Sequence, residues 1–188
     1  MPGLQSSSRA KMPFERSAPL SAALTFVLLA SPAAVHAQDT DVCLPDPSLP
    51  SLETVDVFYD FLEHETDYDI APLRATPPDI AFCAQGEKIF YEGRDMIVDT
   101  DLRAAYDSRA RRIFLVLPWT AKNGRALSTL LHELVHDAQM QAEWPCPQAM
   151  EWEAYQLQAR WLESQGIAHG FDWFAIWRLS RCPSTVHP

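Results

Sequence analysis

The chain is predicted to adopt an α+β fold, because helical and strand patterns occupy separate parts of it. Apolar residues at helical spacing run over 52–65, and short apolar segments suited to strands fill the region 80–117. Two longer helical patterns follow after Asn123. This order predicts a small, antiparallel-rich sheet packed on helices, within a single domain over residues 38–188.

Each element rests on a local pattern. Prolines and aspartates between 67 and 78 end the first helix, and strands are expected at 80–84, 88–91 and 96–99. A hairpin then pairs 102–106 with 113–117. Asn123 or Ser128 can begin the next helix, which ends before Pro145. A further helix over 148–164 is closed by Gly166, and an aromatic-rich helical stretch covers 171–179.

Residues 1–37 carry the features of a secretory signal peptide. Basic residues precede an apolar run over 18–30, and Val35 and Ala37 are compact residues at the positions that a cleavage site after Ala37 requires. The apolar run is short, and no later segment reaches the ~20 apolar residues of a membrane helix. We therefore expect a periplasmic or secreted protein with no integral membrane span after signal removal, with an uncleaved N-terminal anchor as the alternative.

The charge of the chain argues against two classes of partner. The formal net charge is −10, and removal of residues 1–37, with three basic residues and one acid, changes it to −12. An acidic surface repels nucleic acid and anionic membranes. We therefore expect no nucleic-acid partner, while the oligomeric state is not indicated.

Four cysteines lie after residue 37, at Cys43, Cys83, Cys146 and Cys182. An even number in an exported chain predicts two disulfides, for which three pairings are possible. We favour Cys43 with Cys83 and Cys146 with Cys182, since each bond would tie a segment that flanks the central helix to the body of the domain.

The segment 132–136, His-Glu-Leu-Val-His, lies in the middle of that central helix. Four residues make just over one helical turn, so His132 and His136 project from the same face and can take two corners of a zinc tetrahedron. Glu133 lies beside them and can act as a general base toward a water activated by the metal. The pattern therefore predicts a catalytic zinc site.

A catalytic zinc needs a third protein ligand and one position for water. Gln139 and Ala142 occupy the positions at which a metzincin would have Gly and His, which excludes that arrangement. Glu151 and Glu153 instead open the next helix. Helical periodicity places Glu153 slightly closer to the apolar stripe of that helix and leaves Glu151 open.

The 132–136 segment followed by Glu153, Ala154 and Tyr155 resembles the gluzincin arrangement of zincin-like metallopeptidases, found also in small bacterial exported domains. The resemblance covers about residues 100–165. It implies a minimal zincin-like domain that binds Zn²⁺ through His132, His136 and Glu153, uses Glu133 as the base and hydrolyses peptide or protein substrates. It also implies a substrate-binding edge strand, at either 102–106 or 113–117.

Gluzincin peptidases of known activity usually add a Tyr or His that stabilises the oxyanion. Tyr106, Tyr155 and His169 are the candidates in this chain. Gln139 and Asp137 are candidates for holding the free ring nitrogens of the histidines. The alternative function is a zinc-binding domain without catalysis, which serves binding or scaffolding.

Overall fold

A computed structural model describes residues 50–183. The predicted signal peptide, its cleavage point and Cys43 lie outside the described residues. Helix α1 covers Leu52–Glu65 and a short α2 covers Ala71–Ala75; the strands are β1 Asp79–Cys83, β2 Lys88–Tyr91, β3 Arg94–Ile97, β4 Ala104–Asp107 and β5 Arg112–Val116. Helix α3 covers Gly124–Gln139, α4 covers Met150–Ser164 after a 3-10 turn at Pro147–Ala149, and α5 covers Trp173–Leu179.

This order of helices and strands confirms the predicted α+β fold. Helix α2 is not predicted from the sequence, because Pro72 and the aspartates before it are typical of a loop. Pro72 stands in the first turn of α2, where a missing backbone N–H removes no helical hydrogen bond. The sequence pattern therefore described the break after α1 correctly but not the short helix within it.

The strands form one sheet in the order β1-β5-β4 and a separate β2–β3 hairpin. Strands β4 and β5 pair antiparallel, as do β2 and β3, whereas β1 runs parallel to β5. The third strand begins and ends two residues earlier than predicted. Glu92 and Gly93 both have positive φ, at 50° and 81°, which closes the β2–β3 hairpin with a two-residue turn and brings Arg94 into the ladder.

Strand β5 separates two apolar clusters. Ile113 and Leu115 face the main core, which includes residues of α1, α3 and α4. Phe114 and Val116 face the opposite side and pack with residues of β1 and the β2–β3 hairpin region. This alternation is the two-residue period of a strand with both faces covered. Helix α3 therefore lies against a fully buried sheet face.

A buried ion pair links α3 to the sheet. Asp137 is 2% exposed and accepts hydrogen bonds from Nε and Nη2 of Arg111, at 2.8 and 2.9 Å, and from the Tyr106 hydroxyl at 2.7 Å. Arg111 follows β4, and Tyr106 lies within it. Because a buried carboxylate without partners is costly, the three bonds set the rotation of α3 against β4.

The predicted Cys146–Cys182 disulfide is present, and it joins the segment before α4 to the residues after α5. The other predicted bond, Cys43–Cys83, involves a residue outside the described range. Among residues 50–183, every helix is too short or too polar to cross a membrane.

Candidate metal centre

The 132–136 segment lies in mid-helix because α3 begins well before it. The Asn123 side chain accepts hydrogen bonds from the backbone of Arg125 and Ala126, at 3.0 and 3.3 Å, and so caps the first turn. Of the two predicted starting residues, Asn123 is therefore the cap. Two full turns precede His132, which keeps the histidines away from the frayed end of the helix.

Helix α4 packs against α3 and brings Glu151 to the histidines. Ala154 is completely buried, and a side chain this small lets two helices approach closely. Glu151, Ala154 and Gln158 share a face of α4, because they lie three and seven residues apart. The same face that packs against α3 therefore carries a carboxylate and an amide.

Three possible metal ligands meet at this interface. The Nε2 atoms of His132 and His136 are 3.1 Å apart, and the Glu151 carboxylate oxygens lie 3.2 Å from the first and 3.5 Å from the second. A zinc tetrahedron with metal–ligand bonds near 2.0–2.1 Å has edges of about 3.3 Å. The spacing and the two-nitrogen, one-oxygen donor set therefore fit zinc.

Glu153, the predicted third ligand, is not in this cluster. Its Oε2 atom accepts hydrogen bonds from the Tyr68 hydroxyl at 2.6 Å and from Gln139 Nε2 at 2.9 Å. Two residues along a helix correspond to a rotation of about 200°, so Glu151 and Glu153 cannot both face the same point. The structure places Glu151, and not Glu153, with the histidines, although the apolar stripe slightly favoured Glu153 and the gluzincin resemblance implied it.

A glutamine side chain holds His132. The Nδ1 atom of His132 lies 3.1 Å from Oε1 of Gln158, and Gln158 Nε2 donates to Ser128 Oγ at 3.0 Å. The Ser128 hydroxyl itself donates to the Arg125 carbonyl, so its oxygen is left to accept. The amide orientation is thereby set, and His132 must donate through Nδ1.

His136 is held in the same way by Gln139. Its Nδ1 atom lies 2.8 Å from Gln139 Oε1, while Gln139 Nε2 donates to the Met150 carbonyl and to Glu153, each at 2.9 Å. Both partners of the amide nitrogen can only accept, so this amide cannot be reversed. Gln139 thus has the role considered from the sequence, whereas Asp137 is bound to Arg111 and Tyr106 instead.

Because each glutamine accepts from Nδ1 of its histidine, the Nε2 atoms of His132 and His136 both carry lone pairs. These lone pairs point toward each other and toward the Glu151 carboxylate. Three acceptors at this distance repel one another unless a cation lies between them. Burial acts to lower the pKa of His136, but its hydrogen bond to the Glu151 carboxylate and the charge of Glu133 outweigh burial and raise the pKa to about 9. Burial acts to raise the pKa of Glu151, but its hydrogen bonds to His132 and His136 hold it far below the usual range.

Glu133 lies beside this cluster and is 6% exposed. Burial raises the pKa of Glu133, although the nearby His132 and His136 oppose the shift. The backbone N–H of Tyr106, in β4, donates to the carboxylate. A carboxyl group with a raised pKa at the edge of a cleft is well suited to accept and return a proton.

The site opens into a cleft of about 460 Å³, which is lined by the two histidines, Glu133, Glu151, Tyr155 and residues 102–105. Strand β5 is central in its sheet, so β4 is the edge strand at this cleft. The Val116 N–H donates to the Arg103 carbonyl, so the backbone groups of Arg103 face β5. In an antiparallel pair the backbone groups of successive residues face opposite sides of the strand, so those of Ala104 and Tyr106 face the open edge. The backbone N–H of Tyr106 donates to Glu133, and the Tyr106 carbonyl accepts from the Tyr91 hydroxyl. The backbone N–H and carbonyl of Ala104 therefore remain for a ligand.

Of the three residues suggested as oxyanion stabilisers, Tyr155 lines the cleft with a hydroxyl that makes no hydrogen bond within residues 50–183. Its ring contacts His132, with ring centres 4.6 Å apart. The Tyr106 hydroxyl is bound to Asp137, and His169 accepts from the Phe171 backbone. Tyr155 is therefore the one of these three side chains that is placed to contact a ligand.

Gln158 and Tyr91 are functional candidates that sequence reasoning missed. Gln158 follows Glu151 by seven residues and interrupts an otherwise apolar stripe, which is a usable signal for a polar role at a helix interface. Tyr91 lies at the end of a four-residue strand with no distinctive pattern around it. Its position beside the cleft depends on how the β2–β3 hairpin packs.

The fold and site together define an α+β protein with a candidate His-His-Glu metal centre at the interface of two helices. Residues 47–188 match the family model described as "Domain of unknown function (DUF6647)", and the chain belongs to this family. No curated protein and no solved structure matches the chain.

Proposed function

We propose that this protein is an exported, zinc-dependent metallopeptidase of minimal zincin-like type. His132, His136 and Glu151 would hold the metal, with Glu151 in the position that the gluzincin resemblance assigned to Glu153. The observation that carries the proposal is the convergence of three side chains whose acceptor atoms lie 3.1 to 3.5 Å apart, next to a buried carboxyl group in an open cleft. Such a donor set with a free side is typical of catalytic zinc sites.

Zinc at this position would supply Lewis acidity, which polarises a peptide carbonyl and makes an attacking water more acidic. Glu133 takes the proton from that water as its oxygen attacks the carbonyl carbon. The same carboxyl group then returns the proton to the amide nitrogen, so that the carbon–nitrogen bond breaks and an amine leaves. The position of Glu133 supports both transfers, because its carboxyl group lies beside the histidines and lines the same cleft.

Strand β4 supports a polypeptide as the substrate. Ala104 presents one backbone donor and one acceptor toward the cleft, and an extended peptide can pair with both by adding a strand to the sheet. Recognition through the backbone does not depend on the sequence of the peptide, which suits a protein of small size.

Tyr155 is suited to stabilise the developing oxyanion. Its hydroxyl is available, and its ring is held against His132, within the same cleft as Glu133. Burial raises the pKa of Tyr155, and the charges of Glu151 and Glu133 add to the shift, so the group stays protonated and able to donate. The hydrogen bond from a neutral donor to the carbonyl oxygen becomes stronger as negative charge develops on that oxygen.

The variant Tyr155→Phe is expected to lower kcat by about 100-fold or more, because one oxyanion donor is worth about 100- to 1000-fold. KM and bound zinc should change little, since the phenyl ring keeps its contact with His132. Steady-state kinetics on a quenched fluorescent peptide, with zinc measured on the same samples, provide the test. A parallel loss of zinc would instead assign Tyr155 a role in holding His132.

We also propose that the protein is exported from the cytoplasm. The Cys146–Cys182 disulfide favours an oxidising compartment, and the predicted signal peptide supplies a route to it. The periplasm or the extracellular medium is therefore the proposed location.

The function is tested by measuring zinc and peptide hydrolysis in the purified mature chain. We expect about one zinc per chain, cleavage of an unstructured protein such as reduced casein, loss of cleavage after chelation and recovery with added zinc. Zinc without any cleavage would favour the non-catalytic scaffold function. If the chain binds no zinc when one equivalent of zinc is added, both functions are contradicted.

A further inference from the structure

Two cavities meet at the candidate metal centre. The first is the cleft of about 460 Å³ already described, and the second has a volume of about 370 Å³. Tyr91, His136 and Glu151 line both of them. The candidate metal position therefore borders both cavities, and Tyr91 is the shared lining residue that is not one of the possible ligands.

Tyr91 is anchored where it stands. Its hydroxyl donates to the Tyr106 carbonyl over 3.2 Å, and its ring packs near Phe114, with ring centres 6.5 Å apart. The bond to Tyr106 uses one of the outward backbone acceptors of β4. Tyr91 thus divides the site and also limits how far along β4 a bound strand can pair.

The two cavities lie at opposite ends of β4. Residues 102–105 line the first cavity, whereas Tyr106 and Ser108 line the second. A peptide that pairs with Ala104 and continues past the metal centre, beyond the paired part of β4, would therefore place one flank in each cavity.

The second cavity has an apolar wall next to the centre. Met140, Pro147 and Met150 contribute to it, and Met140 is 54% exposed although it directly follows the buried part of α3. Exposed, flexible methionines are well suited to contact apolar ligands. Two acidic side chains also line this cavity, and both have partners. Glu151 contacts the two histidines, and Glu92 accepts from the backbone and hydroxyl of Ser108, at 2.7 and 2.8 Å.

The first cavity differs in chemistry. Asp101, Arg103 and Thr129 line it, so that charged and polar side chains form part of its wall. A side chain of a bound peptide would meet polar partners on that side of Tyr91 and apolar ones on the other. The difference provides a basis for selecting a peptide in one orientation and register.

We propose that the second cavity is a subsite for an apolar side chain of the peptide, on a residue flanking the scissile bond. This inference rests on the proposed peptidase function and adds a substrate class to it. Occupation by an aliphatic side chain removes Met140 and Met150 from water, whereas an acidic side chain would lose its hydration without a partner.

The test uses binding of hydroxamates, which chelate zinc, to the zinc-loaded full mature chain. Acetohydroxamate probes the metal alone, and two series carry either an isobutyl or a carboxymethyl group, on the acyl side or on the opposite side of the chelating group. We expect the isobutyl compound of one series to bind about 10-fold or more tightly than its carboxymethyl partner, a ratio within reach of one apolar pocket.

The variant Met140→Glu is expected to remove this preference, and Met150→Glu provides a second variant on the same wall. Val57→Glu is the matched control, because Val57 is 55% exposed on α1 and lines neither cavity. Equal binding of both compounds in both series, with normal acetohydroxamate binding, would overturn the subsite alone. Failure of acetohydroxamate to bind would instead contradict the metal centre and the proposed function.

Discussion

Replacement of Glu133 by Gln is expected to abolish most peptide hydrolysis while the protein keeps its zinc. A general base contributes about 100- to 10,000-fold to such a reaction, and an amide cannot take a proton from water. Gln has nearly the same shape as Glu, so the buried position next to Tyr106 should tolerate it. The ligands of the proposed metal are left intact.

The measurement combines kcat/KM on a quenched peptide with zinc content and thermal unfolding of the same preparation. Glu143→Gln is the matched control: Glu143 is exposed, follows α3 and lines neither cavity, so hydrolysis should be unchanged. Hydrolysis that survives in Glu133→Gln would rule out the base and, with it, the proposed mechanism.

Replacement of Glu151 by Gln is expected to lower zinc affinity by more than about 100-fold, because groups that only support a ligand already contribute 10- to 100-fold. The Glu151 carboxylate lies within 3.2 to 3.5 Å of both histidine Nε2 atoms and carries the charge that favours a cation there. An amide at this position removes that charge while keeping the size of the side chain.

The same change at Glu153 provides the matched control. Glu153 reaches His136 only through Gln139, so Glu153→Gln should weaken zinc binding by no more than about 10-fold. Competition with a fluorescent zinc chelator gives both affinities. A large loss in Glu153→Gln together with a small loss in Glu151→Gln would restore the ligand that the apolar stripe had favoured and contradict the geometry described above.

Most helices and strands could be predicted because their signals are local. The apolar stripe of α1, the Asn123 cap and the buried run in β5 each depend on residues close together in the chain. The parallel pairing of β1 with β5 could not be predicted in this way. It joins residues 33 positions apart, such as Asp79 and Arg112, and no local pattern encodes that register.

The choice between Glu151 and Glu153 shows the same limit within a single helix. The apolar stripe of α4 reports which face is buried on average, but α4 is covered by more than one neighbour. Tyr68, from the segment after α1, approaches one side and holds Glu153, while α3 approaches the other side and receives Glu151. Periodicity alone does not distinguish two buried directions.

By itself, the sequence determined that His132, Glu133 and His136 lie on one helix, with both imidazoles on the same face. The helical period decides that, and no other part of the chain is needed. Only the tertiary structure decided the third carboxylate, the two glutamines that hold the rings and the edge strand beside the cleft. These depend on how α3, α4 and β4 are rotated and packed against one another, which is set by contacts between segments distant in sequence.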